Sequence, residues 1–237
     1  MRRSLSIATL VAVVALLAGS ASAQNRTVLH GCAKQGEIRF RAADGLRLAG
    51  HRFGRGKTAV VFAHEARGGA CQWIPFARAL ARRGYLTIAF DFRGYGRSQT
   101  PKRGAWSRLP ADVIAAAKLS RSLGAKKVVA VGASMGGTNA VVAAANARTV
   151  IDGVISVSAP TRNRRTDALA AARRLQVPAL YLVGEGDEGF VEHARLLYDA
   201  TSSADKRLEI MNSAQHGVLL AAEHPARSLI EQFVAAR

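Results

Sequence analysis

The sequence predicts a single α/β domain, a mostly parallel, doubly wound sheet with helices on both faces. Short apolar runs that are typical of buried strands, such as Thr58–Ala63, recur along the chain. Between them lie longer stretches with apolar residues at helical spacing. Strands that alternate with helices of this length indicate parallel strands joined by helical crossovers. No internal repeat or low-complexity stretch interrupts the pattern.

The first 23 residues read as a signal peptide that is removed from the fold. Arg2 and Arg3 form a charged start, residues 7–17 an apolar run, and Ala21-Ser22-Ala23 a cleavage site. The apolar run is short for a membrane span. We therefore expect a secreted or periplasmic protein, with an N-terminal segment at 24–36 and one domain at 37–237.

The chain has two cysteines, Cys32 and Cys71. In an oxidising compartment a single disulfide between them is the natural expectation, and it would tie the N-terminal segment to the start of the first helix. The alternative is two unpaired thiols.

The first half of the domain begins with a predicted hairpin, in which Ile38 and Phe40 alternate with arginines before the turn at Asp44-Gly45. Buried strands are expected at 58–63 and 85–90. One helix contains Trp73, Phe76, Ala77 and Leu80 and ends at Gly84, and a second spans 110–123.

The second half alternates strand and helix up to the C-terminus. The expected strands are 127–131, 154–158, 179–183 and 208–211, and the expected helices are 136–147, 166–175, 191–201 and 225–236. Residues 159–177 leave room for only a loop and one helix. The sequence therefore predicts no substantial cap domain and an open site.

Residues Gly132-Ala133-Ser134-Met135-Gly136 form a G-x-S-x-G pattern between an apolar strand and a helix. In that context the pattern predicts a nucleophile elbow, a sharp turn that exposes the serine hydroxyl. Asp187 follows the strand at 179–183, and His216 follows the strand at 208–211. A nucleophile, an acid and a histidine thus each follow a predicted parallel strand.

On these residues the chain resembles the α/β-hydrolases, from about Glu37 to the C-terminus. A second motif, Asp91-Phe92-Arg93-Gly94-Tyr95-Gly96-Arg97-Ser98, resembles the D-x-R-G-x-G-x-S loop of that family. The dipeptide His64-Glu65 resembles the dienelactone-hydrolase branch.

The resemblance implies a catalytic triad of Ser134, Asp187 and His216, in which the histidine takes the serine proton and the aspartate orients the histidine. Glu185 and Glu188 are rival acids, and the family's spacing after the strand favours Asp187. The implied oxyanion donors are the backbone N–H groups of Met135 and Ala66.

Glu65 keeps two possible roles. In dienelactone-type enzymes a glutamate at this point approaches a cysteine nucleophile, but this chain has Ser134 as its nucleophile. A salt bridge to Arg67 is equally open. His64 is expected to be a structural hydrogen-bonding residue.

The net charge is +18, from 34 Lys and Arg against 16 Asp and Glu. Many cations fall in loops after strand ends, a placement that would steer anionic substrates or favour an anionic envelope surface. The alternative is arginine scattered over the whole surface. The cations concerned are Arg67, Arg93, Arg97, Lys102, Arg103, Arg108, Arg162, Arg164 and Arg165, the last three being candidate substrate-binding residues.

The sequence therefore predicts an exported serine hydrolase that cleaves carboxylic esters through an acyl-enzyme, with an open site that suits small or surface-exposed esters. We find no metal-ligand spacing, no cofactor fingerprint and no aromatic interleaving typical of nucleic-acid binding. Two alternatives stay open, a lactonase like the dienelactone hydrolases and a catalytically silent polycationic protein that binds the cell envelope.

Overall fold

The computed structural model describes residues 36–102 and 104–237. The predicted signal peptide, nearly all of the predicted segment 24–36, Cys32 and Arg103 lie outside the described residues. The proposed pairing of Cys32 with Cys71 therefore stays a prediction.

An eight-stranded sheet forms the centre of the described domain, in the order β1-β2-β4-β3-β5-β6-β9-β10. The pairings from β4 through β3 to β10 are parallel, and only β1–β2 and β2–β4 are antiparallel. The strands are β1 Glu37–Arg41, β2 Arg47–Phe53, β3 Thr58–Ala63, β4 Leu86–Asp91, β5 Lys127–Ala133, β6 Gly153–Val157, β9 Ala179–Gly184 and β10 Lys206–Met211.

Seven α-helices lie in the described residues: α1 Ile74–Arg82, α2 Leu109–Ser122, α3 Met135–Asn146, α4 Ala168–Ala172, α5 Phe190–Ala200, α6 Gly217–Ala222 and α7 Ala226–Ala235. They alternate with the parallel strands, as the sequence predicts. The mostly parallel α/β architecture is therefore confirmed.

The core includes the central strands, which are buried on both faces and consist mainly of apolar residues. Val60, Val61 and Phe62 of β3 are fully buried, as are Val128 and Val129 of β5. Strands buried on both faces read as continuous apolar runs rather than as alternating patterns. This is why the sequence located β3, β4, β5 and β9 within one or two residues.

The segment between β6 and β9 differs from the helix predicted at 166–175. A small hairpin, β7 Arg162–Asn163 with β8 Thr166–Asp167, precedes the five-residue helix α4. Asp167 starts α4 because its carboxylate accepts the Ala170 N–H at 2.9 Å, an N-cap that delays the helix. This short segment leaves the site without a substantial cap, as predicted.

The Asp91 loop is fixed by ionic and backbone contacts below the edge where the strands end. Arg93 is fully buried and donates to Asp112 at 2.6 Å and to Asp44 at 2.8 Å. Asp91 Oδ1 accepts the Ala70 N–H at 2.7 Å, and Asp91 Oδ2 accepts the Arg97 N–H at 3.0 Å. The motif at 91–98 thus connects β1–β2, α2 and the loop after β3.

None of the helices in the described residues is both long enough and apolar enough to cross a membrane.

Candidate active site

Ser134 lies in a strained turn between β5 and α3. Its backbone adopts φ 49° and ψ −117°, in the left-handed region that side chains rarely occupy. A Cβ on Gly132 would lie 2.2 Å from the Gly136 carbonyl oxygen, and one on Gly136 would lie 2.1 Å from the Ala63 oxygen. Both glycines are therefore required by the close approach of helix and strand, as expected for a nucleophile elbow.

His216 and Asp187 face each other across the ends of β10 and β9. The Nδ1 atom of His216 lies 2.9 Å from Asp187 Oδ2 and 3.0 Å from Oδ1. An Nδ1–H that donates to this carboxylate leaves Nε2 as the proton acceptor of a neutral ring. Asp187 is buried, whereas Glu185 and Glu188 are both exposed. Of the three candidate acids, only Asp187 contacts the histidine within the described residues.

Backbone hydrogen bonds join the two loops that hold this pair. The Glu185 N–H donates to the Met211 oxygen at 2.8 Å, and the Gly186 N–H donates to the Ser213 oxygen at 3.0 Å. The Phe190 ring lies 4.4 Å from the His216 ring, centre to centre. Backbone contacts between their loops thus hold Asp187 and His216 close to each other.

The segment of His216 lies against the elbow. A Cβ on Gly217 would be 3.5 Å from the Ala133 Cβ, so the residues next to His216 and Ser134 are neighbours. In the described residues no hydrogen bond joins the Ser134 hydroxyl to the His216 ring. Such bonds are often long without substrate and tighten in the reacting complex.

The two predicted oxyanion donors lie on segments that contact each other. Met135 is the first residue of α3, where N–H groups lack partners inside the helix. Ala66 is exposed in the loop after β3. The absence of a side chain at Gly136 allows this loop to pack against the elbow, because a Cβ at that position would also lie only 2.7 Å from the His64 oxygen. Met135 and Ala66 thus lie on neighbouring segments that both follow strands of the sheet, and their role as oxyanion donors stays a prediction.

His64 follows β3 but is fully buried, and both ring nitrogens have partners. Its Nδ1 donates to the Glu65 oxygen at 2.7 Å, and its Nε2 accepts the Phe92 N–H at 3.1 Å. Burial lowers the pKa of His64, because a charged imidazolium would be poorly solvated there. The residue therefore has the structural role that the sequence predicts.

Glu65 makes neither of the contacts considered from the sequence. Its Oε1 accepts a hydrogen bond from Gln72 Nε2 at 2.7 Å, and its Oε2 accepts the Val218 N–H at 3.1 Å. Within the described ranges it forms no ion pair with Arg67 and no hydrogen bond with Ser134.

Several of the cations predicted for a basic rim are paired with carboxylates. Arg162 pairs with Asp167, Arg97 with Glu37 at 2.7 Å and Arg108 with Asp44 at 3.3 Å. Arg164 instead stacks on Trp106, with its guanidinium carbon 5.3 Å from the ring centre. Arg165, Arg67 and Lys102 are exposed. The positive character of this edge thus depends on fewer residues than the sequence suggests.

Sequence reasoning missed two residues that support the site, Phe190 and Gln72. Phe190 stands three residues after Asp187, where an apolar residue in a polar loop was the available signal. Gln72 gave no signal, since its partner Glu65 becomes a neighbour only through a turn at Ala70–Trp73. In the described ranges no cluster of His, Cys, Asp and Glu could hold a metal ion.

The sequence profile of the alpha/beta hydrolase fold matches residues 58–170. An esterase from Pyrococcus furiosus superposes with a TM-score of 0.72 at 16% identity, covering 84% of this chain and 90% of that one. An esterase from a Rhodococcus species gives a TM-score of 0.69 at 18% identity, covering 85% and 99%.

A dienelactone hydrolase from Anabaena variabilis gives a TM-score of 0.65 at 22% identity, covering 84% of this chain and 94% of that one. At these identities the solved structures share the fold, and they do not separate one branch from another. With its sheet order and its elbow, the chain has the α/β-hydrolase fold.

Proposed function

We propose that this protein is a serine hydrolase that cleaves carboxylic esters through an acyl-enzyme. The observation that carries the proposal is the convergence of three residues at one sheet edge. Ser134 occupies a strained elbow, and the His216–Asp187 pair follows strands on the same sheet. Because Asp187 engages Nδ1 of His216, Nε2 is the ring nitrogen available to act as a base.

In the proposed first half-reaction, the Ser134 oxygen forms a bond to the ester carbonyl carbon while its proton passes to His216 Nε2. Asp187 stabilises the imidazolium through Nδ1–H, and the N–H groups of Met135 and Ala66 bind the oxyanion. The bond from carbon to the alcohol oxygen then breaks, and the alcohol leaves with the proton from His216. Water repeats the sequence on the acyl-enzyme and releases the acid.

The lactonase alternative uses the same residues on a cyclic ester, so substrate choice alone separates it from the first proposal. The absence of a cap between β6 and β9 supports small or surface-exposed esters. We further propose export to the periplasm or beyond, supported by residues 1–23. The silent envelope-binding alternative predicts a folded protein that no active-site probe labels.

The test is labelling with a fluorophosphonate probe, followed by a series of p-nitrophenyl esters of increasing acyl length and one unsaturated lactone. We expect stoichiometric labelling of the wild-type protein and no labelling of the Ser134→Ala variant. The folded Glu188→Gln variant, which removes an exposed carboxylate from the same edge, is the matched control. A wild-type protein that neither labels nor turns over any ester would refute the proposal.

A further inference from the structure

The Glu65 carboxylate contacts the segment that holds His216, although 153 residues separate it from Val218. Its Oε2 accepts the Val218 N–H at 3.1 Å, and a Cβ on Gly217 would lie only 2.1 Å from this oxygen. Its Oε1 accepts from Gln72 Nε2 at 2.7 Å. The carboxylate is therefore held on both sides, and it fills the space that glycine leaves open at 217.

This contact supplies the missing cap of α6. His216 is the residue before the helix, and its side chain makes no capping hydrogen bond because its Nδ1 is engaged with Asp187. The first N–H groups of a helix have no intrahelical acceptor, and a carboxylate there is stabilised by both hydrogen bonding and the helix dipole. Glu65 thus does for α6 what the preceding residue does in most helices.

This cap is directly next to His216 in the chain, because His216 immediately precedes α6. Asp187 fixes the rotation of the imidazole ring, but the backbone of His216 is set by the start of α6. Glu65 fixes that start from the loop that also contains Ala66, and Gly136 holds the same loop against the elbow. One carboxylate therefore connects the histidine segment, the oxyanion loop and the serine turn.

We propose that Glu65 is a positioning residue that sets the distance between His216 and Ser134, acting through the N-terminus of α6 and not on the nucleophile. The inference rests on the proposed serine hydrolase function. It assigns Glu65 a geometric role that needs two hydrogen-bond acceptors or an acceptor and a donor, and that does not need its negative charge.

Three substitutions separate geometry from charge. Glu65→Gln keeps the length, its amide oxygen can accept from Val218, and its amide nitrogen can donate to a flipped Gln72, whose Oε1 is a buried atom without a partner here. Glu65→Asp keeps the charge but is one methylene too short. Glu65→Ala removes both contacts. Glu188→Ala, which deletes an exposed carboxylate of the neighbouring loop, is the matched control.

We expect kcat to fall about 10-fold to 100-fold in Glu65→Ala and Glu65→Asp, with KM nearly unchanged, because a displacement of about 1 Å has effects of this size. Glu65→Gln should keep most of the wild-type kcat and the wild-type pH profile. Hydrogen exchange in residues 216–222 should quicken in Glu65→Ala and Glu65→Asp and stay slow in Glu65→Gln and Glu188→Ala.

A Glu65→Gln variant as impaired as Glu65→Ala would overturn the proposal in favour of a role for the charge. Unchanged kcat in Glu65→Asp would also overturn it, and this variant decides the matter if Glu65→Ala fails to fold. The exchange measurement needs no turnover. An inactive wild type with slow exchange at 216–222 that depends on Glu65 would thus count against the proposed function and leave the anchoring of α6 standing.

Discussion

His64 and His216 both follow strands at the edge of the sheet that carries the candidate site, and they differ in what their ring nitrogens contact. His64 is fully buried, and both of its nitrogens bond to the backbone. The His216 side chain is 35% exposed, and only its Nδ1 is engaged, with Asp187. A histidine with a satisfied ring can only hold the fold, whereas one with an available nitrogen can move a proton.

The largest expected effect is the loss of kcat on replacing His216 or the serine that it is proposed to deprotonate. Ser134→Ala and His216→Gln should each lower kcat by about 10⁵-fold or more, because each removes a group on which the proton transfer depends. Both should keep wild-type thermal unfolding. Ester hydrolysis and circular dichroism on the same samples check this, and a turnover within tenfold of wild type in either variant would remove that residue from the proposed triad.

A smaller loss, about 10⁴-fold in kcat, is expected for Asp187→Asn. An amide at this position favours the wrong imidazole tautomer while leaving the site's shape intact. Glu185→Gln and Glu188→Gln should stay close to wild type because both side chains are exposed and neither contacts the ring. The comparison is made on initial rates at saturating ester, and equal losses in Asp187→Asn and Glu185→Gln would return the choice of acid to an open question.

For His64, the expected effect is on the pH dependence of the free energy of unfolding. The folded state lowers its pKa, and an unfolded histidine titrates at about 6.5, so both states are neutral above that pH. As pH falls below about 6.5, the unfolded chain binds a proton that the folded chain does not. The free energy of unfolding should then fall by up to about 1.4 kcal/mol per pH unit from this residue.

Urea unfolding between about pH 7.5 and 5 measures this slope, since the ordinary carboxyl pKa values of about 4 lie below that window. His64→Gln should flatten the slope, and His224→Gln, at an exposed histidine, should leave it unchanged. Parallel curves for wild type and His64→Gln would mean that His64 is not the neutral buried base described above.

The smallest effect concerns the arginines of the β7–β8 hairpin. We expect a carboxylate-bearing ester to be preferred over a neutral analogue by about twofold to fivefold at low salt, an amount typical of exposed charges. Arg164→Ser and Arg165→Ser should reduce the ratio of kcat/KM values, whereas Arg162→Ser should not, because Asp167 already pairs with Arg162. If the ratio of the two kcat/KM values changes neither with salt nor with these substitutions, the arginines are part of the general surface charge and play no part in substrate choice.

The sheet could be predicted from the sequence because β3, β4, β5 and β9 are buried apolar runs. The hairpin β7–β8 could not, since residues 166–175 have helical spacing and only the cap at Asp167 delays the helix. Helix α6 has six residues and starts at Gly217, so it is too short for a periodic signal. Such elements are set by tertiary contacts.

The candidate site could be assembled from the sequence by the same kind of reasoning. Ser134, Asp187 and His216 could be chosen because each follows a strand, and parallel strands bring their ends to one edge. The contact of Glu65 with Val218 could not be predicted, because it joins positions 153 residues apart and involves a backbone N–H that every residue possesses. A sequence carries side-chain identities, and this contact depends on where the backbone passes.

Ser134 is one of several non-glycine residues whose backbone lies in the left-handed region. Within residues 36–102 and 104–237, the non-glycine residues with positive φ are Arg67, Ser134, Ser158 and Arg164. The first three follow β3, β5 and β6 of the central sheet, and Arg164 lies in the turn of the β7–β8 hairpin. Each such residue costs of order 1 kcal/mol or more. Glycine would relieve this cost at each position, and at Ser134 it would also remove the proposed nucleophile. At Ser134, thermal stability and the proposed catalysis therefore favour different residues, so substitutions meant to stabilise the protein should leave this position unchanged.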